Sequence, residues 1–483
     1  MPSLVKSTFW SAIQRFGGLT ISFISNVVLA RLLCPEDYGT VGLIMVFIAI
    51  ADVLVDGGLG NALIQKKNVT KDDISTVFTS NLLLSLILFL AIFFAAPAIA
   101  TYVEIEGFAL FLRVEAVMIL LRALYVIHFS MINREMNFQK LAKISLFVSG
   151  LSTLLAILMA NYGCGVWSLI ARNLSLDLFS FLIFYIWYRV DFSLYINKDA
   201  FKQLFSFGVF VAIANLLESL YSNLLSFILG KKFSVKELGY YSQAYALEQI
   251  PVYSITSILN QVFFPFLSKE QDDRAKMKVD VQRSIQAMSF FIYPLMVFLI
   301  CFAKPLIILL YSEKWLPAVP FFQILCTIGF SNFLYHLNRS ILKAVDKTKI
   351  MFYTQVLVCV VGFLLIVLAI PFGIYAVVIV VAINSVLASL IVMRFSGKHI
   401  DLNIIQQVKA VFFNFVISAI VGVLVFGLFS FVSWSVFIVL PSAFVLFAII
   451  YLSIHYIFKS NSYKLVISVI YSYYYIKKNC NNG

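Results

Sequence analysis

Long apolar stretches alternate with short polar segments along almost the whole chain. A window of about 19 residues, the length suited to detecting transmembrane helices, finds fourteen apolar stretches. They cover residues 8–30, 40–64, 74–100, 108–131, 141–160, 165–188, 204–229, 240–266, 287–310, 318–342, 350–370, 372–394, 410–431 and 434–458. A turn at Pro371 and Gly373 divides one long apolar run into two spans. The pattern predicts an all-α polytopic membrane protein with fourteen transmembrane helices.

The composition of the 483 residues agrees with this pattern and excludes an ordinary soluble domain. Hydrophobic residues make up 62% and charged residues 12%, whereas soluble domains have about 45–50% and about 25%. The sequence has no GxxxxGK[ST] or HExxH motif, and its four histidines and six cysteines are scattered. We therefore predict that the protein is not an enzyme and has no catalytic residue, metal site or cofactor.

The net charge of +13 reflects orientation in the membrane rather than binding of nucleic acid. With fourteen spans and a cytoplasmic N-terminus, the cytoplasmic connections and tails hold 25 lysines and arginines, and the opposite side holds five. Basic residues gather on the cytoplasmic side of membrane proteins. Both termini are therefore predicted to be cytoplasmic, with residues 459–483 forming a basic tail. The outer connections are too short to hold a catalytic or ligand-binding domain.

A weak internal repeat occurs at an offset of about 200 residues. Ser25-Asn26 precedes a polar loop and Tyr38-Gly39, and Ser222-Asn223 precedes a polar loop and Gly239-Tyr240. The offset corresponds to six spans, so the two copies have the same orientation and form a parallel repeat. We predict an N-terminal lobe over 1–200 (helices 1–6), a second lobe over 201–400 (helices 7–12) and a helix pair over 401–458. Two such lobes are typical of alternating-access transporters.

Ionisable side chains within the predicted spans are candidate functional residues, because they are costly in a bilayer unless paired or hydrated. Arg15, Arg122 and Arg172 form a predicted anion-binding set, since a guanidinium binds phosphate oxygens bidentately. Asn26 and Asn223 are added as polar substrate contacts from the two copies of the repeat. For Arg15 the alternative is a side chain that extends to the headgroups.

Three acidic residues are candidates for coupling transport to an ion gradient. Asp52 and Asp56 are one turn apart on one helix, and Glu218 lies on the helix that matches helix 1 in the repeat. Neighbouring carboxylates that exchange a proton or cation suit this role. An equal alternative is that the two aspartates neutralise Arg15 or Arg122 and have a structural role.

Three segments resemble a known family. Ala30 to Gly39, Asp56 to Lys67 and Tyr311 to Ala318 resemble the bacterial polysaccharide transporters of the Wzx/WzxC type, in the multidrug, oligosaccharidyl-lipid and polysaccharide exporter superfamily. The resemblance implies a flippase of the cytoplasmic (inner) membrane. Its substrate would be an oligosaccharide repeat unit on undecaprenyl diphosphate, carried to the periplasmic leaflet for lipopolysaccharide, O-antigen, capsule or exopolysaccharide synthesis.

The resemblance also implies binding partners, and two alternative functions stay open. The lipid-linked oligosaccharide and the bilayer are the expected partners, together with polysaccharide polymerases and glycosyltransferases. A multidrug or cation antiporter of the same superfamily is the first alternative function. A membrane polysaccharide polymerase or ligase is a weaker one, because such proteins need a large periplasmic loop that this sequence lacks.

Overall fold

A computed structural model of the chain describes residues 4–56, 63, 66, 69–188, 190–258, 267, 273–431 and 435–468. Over these residues the fold is α-helical, with short 3-10 helices at Glu313–Trp315 and Ile370–Phe372. The α-helices are α1 Leu4–Leu32, α2 Pro35–Asp56, α3 Lys71–Val103, α4 Phe108–Arg134, α5 Phe138–Asn161, α6 Val166–Trp187, α7 Lys198–Lys232, α8 Val235–Ile258, α9 Arg274–Cys301, α10 Ala303–Tyr311, α11 Ala318–Ala344, α12 Thr348–Ala369, α13 Ile374–Gly397, α14 Ile404–Ser430 and α15 Val436–Ile457.

Eleven of the described helices are long and apolar enough to cross a membrane. The predicted all-helical membrane architecture is confirmed at this level, and the count of fourteen spans stays a prediction. The three predicted spans outside the eleven correspond to α4, α7 and α8. Helix α4 carries three ionisable side chains, Arg113, Glu115 and Arg122.

Local sequence signals define the ends of several helices. At the start of α3, the Thr70 side chain accepts a hydrogen bond from the backbone N–H of Asp73, and the Asp73 carboxylate accepts one from the backbone N–H of Thr70. This reciprocal pair satisfies N–H groups that a helix start leaves without partners. At the predicted turn, the Ile370–Phe372 3-10 helix leads to Gly373, whose φ of 94° favours glycine. The break between the eleventh and twelfth predicted helices is therefore confirmed.

Residues Met1–Ser242 form one compact unit. In this unit α1 packs on α5, α3 packs on α4, and α6 packs on both α4 and α5. Helix α2 contacts α4, α6 and α7. One apolar core joins Leu29 of α1, and Leu33 directly after it, with Ala156 of α5 and Ile170 of α6. Helix α2 is consequently placed beside the two helices, α4 and α6, that carry most of the buried charge.

Residues Gln243–Gly483 form the second compact unit. Here α9 packs on α11 and α14, and α13 packs on both α11 and α12. Leaving out the short α10, the neighbours α9–α11–α13–α12 repeat the order α3–α4–α6–α5 of the first unit. Helices α14 and α15 add a further pair, whose core contacts α9 through Phe290, Val421 and Phe447. The predicted lobe boundary at residue 200 stays a prediction.

The connection between α6 and α7 is anchored on the start of α3. The Asp72 carboxylate accepts hydrogen bonds from the Tyr195 hydroxyl and, at 3.0 Å, from the Asn197 amide. The backbone N–H of Asn197 donates to Thr76 Oγ1 at 3.0 Å, and the ring of Phe192 lies 4.0 Å from that of Phe78, centroid to centroid. The hydrogen bond to Asp72 raises the pKa of Tyr195 above its ordinary value. This segment therefore has a fixed path along α3.

Asp72→Ala is expected to loosen this connection, because it removes the acceptor of two side-chain hydrogen bonds. Limited trypsin digestion of the purified protein in detergent should cleave after Lys198 several-fold faster than in the wild type. Asp191→Ala is the matched control, since it removes an exposed carboxylate from the same connection. Equal cleavage rates in the two variants would show that the Asp72 contacts do not hold this segment.

Candidate functional site

The guanidinium of Arg122 on α4 is held between two carboxylates in the first unit. Its Nε donates to Asp177 Oδ2 on α6 at 2.9 Å, and its Nη1 donates to Asp52 Oδ2 on α2. The Tyr125 hydroxyl donates to the second oxygen of Asp177 at 2.8 Å. One arginine, two aspartates and one tyrosine therefore form a connected network across three helices. With both carboxylates ionised, the network carries a charge of −1.

The two carboxylates differ in their exposure. The Asp177 side chain is 1% exposed, whereas those of Asp52 and Arg122 are 26% and 32% exposed. Buried charges of this kind are stable only when paired and hydrogen-bonded, and Asp177 satisfies both conditions. Asp177 is therefore the fixed partner of Arg122, and Asp52 is the partner that lies next to open space.

That open space is a cavity of about 290 Å³. Among the described residues, Asp52 and Val55 of α2 line one wall, and α4 supplies the other wall with Arg122, Tyr125, Val126 and Phe129. The α4 residues are three, four and seven positions apart, which places them on one face of the helix. The cavity thus joins a partly exposed ion pair to the aromatic rings of Tyr125 and Phe129. Such a wall offers a guanidinium to an anionic group that displaces Asp52, and a carboxylate to a cationic group.

A second polar contact joins α4 to α6. Asn173 Nδ2 donates to Glu115 Oε1 at 2.8 Å, and the Glu115 side chain is fully buried. Its other oxygen, Oε2, has no hydrogen-bond partner among the described residues. Glu115 lies two turns before Arg122 on α4, and Asn173 lies one turn before Asp177 on α6. The α4–α6 interface therefore carries two polar levels, of which only the second lines the cavity.

The other members of the predicted anion-binding set do not line the described part of this cavity. Arg172 lies on α6, and its Nε is buried without a hydrogen-bond partner among the described residues. Arg15 lies on α1 and is partly buried. Asn26 is also on α1, and Asn223 on α7 donates to the carbonyl oxygen of Ser219 at 2.9 Å. These four positions stay predictions as substrate contacts.

The three predicted coupling residues have different outcomes. Asp52 is paired with Arg122, which is the structural alternative that the sequence left open, and it also lines the cavity. The side chains of Asp56 and Glu218 lie outside the described residues. Tyr125 and Asp177 were not among the predicted site residues. Asp177 has a sequence signal, as an ionisable side chain within a predicted span. For Tyr125 the only signal is its spacing from Arg122, which indicates a shared face.

Taken together, the long apolar helices and the partly buried ionic network define a polytopic membrane protein with a charged cavity. The sequence profile of the family described as "Polysaccharide biosynthesis protein" matches residues 28–320. The chain belongs to this family. The resemblance noted from the sequence is therefore confirmed.

Comparison with individual proteins gives the same assignment. The chain is 26% identical over 437 residues to the teichuronic acid biosynthesis protein TuaB of Bacillus subtilis (strain 168), covering 88% of this chain and 90% of that protein. It is 22% identical over 352 residues to the lipopolysaccharide biosynthesis protein WzxC of Escherichia coli (strain K12), covering 72% and 71%. The lipid II flippase MurJ in an inward closed conformation has the same fold, with a TM-score of 0.70, 18% identity and coverage of 93% and 98%.

Proposed function

We propose that the protein flips oligosaccharide repeat units linked to undecaprenyl diphosphate from the cytoplasmic to the periplasmic leaflet. The single observation that supports this most directly is the partly exposed Arg122–Asp52 pair at the wall of the cavity. The proposed substrate class rests on the family, which is described by polysaccharide biosynthesis, and on the relatives named for teichuronic acid and lipopolysaccharide biosynthesis. An arginine among apolar helices can pair with a phosphate group, which would otherwise be costly there.

In this proposal the substrate diphosphate takes the place of Asp52 on Arg122. Asp177 accepts hydrogen bonds from Arg122 Nε and from the Tyr125 hydroxyl. This leaves Nη1 of Arg122 directed to Asp52, which lines the cavity. Guanidinium groups bind phosphate oxygens through two parallel hydrogen bonds, which a single carboxylate oxygen does not use. The fixed partner thus orients the arginine, and the exposed partner is displaced.

Displacement of Asp52 gives a route to ion coupling. A carboxylate that loses its arginine next to a bound diphosphate is stabilised by taking up a proton or cation. Uptake and release at Asp52, and at Asp56 and Glu218 as further candidates, would link substrate movement to an ion gradient. The side chains of Tyr125 and Phe129 offer aromatic surfaces to the sugars, with Arg15, Arg172, Asn26 and Asn223 as proposed contacts along the route.

The remaining parts of the proposal follow the predicted topology. Movement is by alternating access of lobes 1–200 and 201–400, with both termini on the cytoplasmic side of the bacterial inner membrane. Helices α14 and α15 present large exposed apolar side chains, among them Phe412, Val423 and Phe437, at 61%, 70% and 72%. Such faces suit contact with lipid chains, including the prenyl tail. Polymerases and glycosyltransferases are the proposed functional partners.

Deletion of the gene tests the proposal in the cell. We expect loss of one surface polysaccharide and accumulation of its lipid-linked repeat unit, because synthesis on the cytoplasmic leaflet continues while transfer stops. Extraction and mass spectrometry of undecaprenyl-linked lipids measure the accumulation, and plasmid-borne wild type should reverse it. Unchanged polysaccharides and unchanged lipid-linked intermediates would contradict the proposal.

A drug or cation antiporter is the second candidate. The observation that favours it is the net negative charge of the Asp52–Arg122–Asp177 network. A cationic substrate would bind Asp52 directly and leave Arg122 on Asp177. Increased susceptibility of the deletion strain to cationic drugs, with normal surface polysaccharide, would support this candidate over the flippase.

A further inference from the structure

In the first unit, each of two glycines of the internal repeat packs against the helix that carries the other: Gly39 of α2 against α8, and Gly239 of α8 against α2. A methyl group on Gly39 of α2 would overlap the carbonyl oxygen of Val235, and one on Gly239 of α8 would overlap the carbonyl oxygen of Pro35. Pro35 and Val235 are the first residues of α2 and α8. Each glycine is therefore the fifth residue of its helix and packs on the first residue of the other. Side chains of any size at these positions would force the two helices apart.

The same reciprocal register extends to the neighbouring positions. Glu36 Oε1 and Lys236 Nζ are 3.0 Å apart, and a methyl group on Gly42 would lie 3.2 Å from Ser242 Oγ. In all four contacts the partners occupy matching or exchanged positions of a 200-residue repeat. A contact in which residue i of one copy meets residue j of the other, and j meets i, is the mark of a local two-fold axis. The repeat seen in the sequence is thus a symmetric contact at the starts of α2 and α8.

The contact is closely fitted but is made of weak interactions. Glycines that let backbones touch allow Cα–H to carbonyl contacts, which are individually weak. The Glu36 and Lys236 side chains are 50% and 53% exposed, and exposed ion pairs add little stability. Leu43 and Leu238, both fully buried, pack beside Gly230, where a methyl group would lie 2.6 Å from Leu43 Cδ2. The starts of α2 and α8 therefore fit closely but are held by weak interactions, as expected of a contact that can both form and separate.

We propose that residues 35–42 and 235–242, here named the glycine clasp, form a closure at the outer end that opens once in each transport cycle. This inference rests on the proposed flippase function for its direction. The predicted topology places the α1–α2 and α7–α8 connections on the outer side, and both copies of the clasp directly follow these connections. With the clasp closed, the starts of α2 and α8 are in direct contact. In this proposal, release of the substrate outward requires them to separate.

The first test enlarges the glycines. Gly39→Ala and Gly239→Ala should each prevent closure, and we expect a fall in flipping by purified protein in proteoliposomes of roughly tenfold or more, because the closed state becomes a minor one. Gly150→Ala on α5 is the matched control, since a methyl group there meets nothing within 4 Å. Wild-type rates in both clasp variants would overturn the proposal.

The second test locks the clasp and does not depend on the glycines. In a background whose native cysteines are replaced, Glu36→Cys with Lys236→Cys is joined by a short bifunctional thiol reagent that a reductant cleaves. We expect flipping to stop on crosslinking and to return on reduction. The control pair, Asp72→Cys with Tyr195→Cys, joins neighbours inside the first predicted lobe and should keep its rate. Continued flipping with the 36–236 crosslink in place would overturn the proposal.

A third measurement tests the glycine clasp independently of the proposed substrate. Spin labels at positions 36 and 236 in lipid vesicles should give a short and a long distance population by double electron–electron resonance, and Gly39→Ala should remove the short one. Gly150→Ala should leave both. If the wild type flips no lipid-linked oligosaccharide, the proposed function fails while these distances still test the clasp. A single short population, unchanged by Gly39→Ala, would overturn the clasp alone.

Discussion

Arg122→Ala is expected to lower surface-polysaccharide production roughly 10- to 100-fold while the protein still inserts into the membrane. A hydrogen bond to a charged group contributes about 1.5–3 kcal/mol, and each 1.4 kcal/mol corresponds to about tenfold in binding. Arg122→Lys keeps the charge but loses the planar fork, so an intermediate level is expected. Quantitative sugar analysis of the cell surface, normalised to membrane-inserted protein, measures the effect.

Arg113→Ala is the matched control on the same helix. Arg113 Nε donates to the carbonyl oxygen of Phe93 at 3.0 Å, and its guanidinium lies 4.6 Å from the centre of the Phe93 ring. It is not among the described residues that line the cavity. Arg172→Ala is expected to lower production as well, since it belongs to the proposed anion-binding set. Full production by Arg122→Ala, Arg172→Ala and their double variant would eliminate the proposed substrate site.

Asp177→Ala is expected to be the most destabilising change in the cavity network. It leaves Arg122 Nε and the Tyr125 hydroxyl without their acceptor, and removal of one partner of a buried pair costs about 3 kcal/mol or more. Because the Arg122 side chain is 32% exposed, the low end of that range applies. Thermal unfolding of the purified protein in detergent should show a clear fall in Tm.

Asp52→Ala provides the comparison for this prediction. The Asp52 side chain is 26% exposed. Water can therefore replace part of the hydrogen bonding that Arg122 loses in this variant, and the fall in Tm should be smaller than for Asp177→Ala. Equal falls in the two variants would show that Asp177 is not the fixed partner. A larger fall for Asp52→Ala would reverse the roles assigned to the two aspartates.

The helices were the part of the fold that the sequence predicted well. Apolar runs of about 20 residues have few alternatives to a helix in a bilayer, and the break at Pro371 and Gly373 is a local effect of backbone geometry. Helix ends were predicted less closely. Hydropathy does not show where a helix begins within a polar segment. The capping hydrogen bonds between Thr70 and Asp73 explain why α3 begins at Lys71 rather than at residue 74.

The cavity network was only partly predictable. Arg122 was identified because a buried arginine is costly, and Asp52 because it shares its helix with Asp56. The pairing of Asp52 with Arg122 rather than with Arg15, and the contact of Asp177 with the same guanidinium, depend on how α2, α4 and α6 pack. Hydropathy gives no information on which faces of three helices meet. Tyr125 was missed for the same reason, since tyrosines are common in apolar helices of this chain.

The internal repeat was visible in the sequence, but its structural role was not. The sequence showed an echo between Tyr38-Gly39 and Gly239-Tyr240, but gave no reason for glycine at these positions. The structure supplies one, because each glycine lies against the backbone of the other helix. The meaning of the repeated motif therefore depends on a contact between residues 200 positions apart, which no local pattern reveals.

Transport by purified protein tests the central proposal most directly. Wild type and Arg122→Ala are reconstituted into separate proteoliposomes with a fluorescent oligosaccharide on undecaprenyl diphosphate, and loss of label from one leaflet is followed after adding a quencher that does not cross the membrane. We predict fast exchange between leaflets for the wild type and a rate near that of protein-free vesicles for Arg122→Ala. Exchange at equal rates in the two preparations, or none with the wild type, would contradict the proposed function.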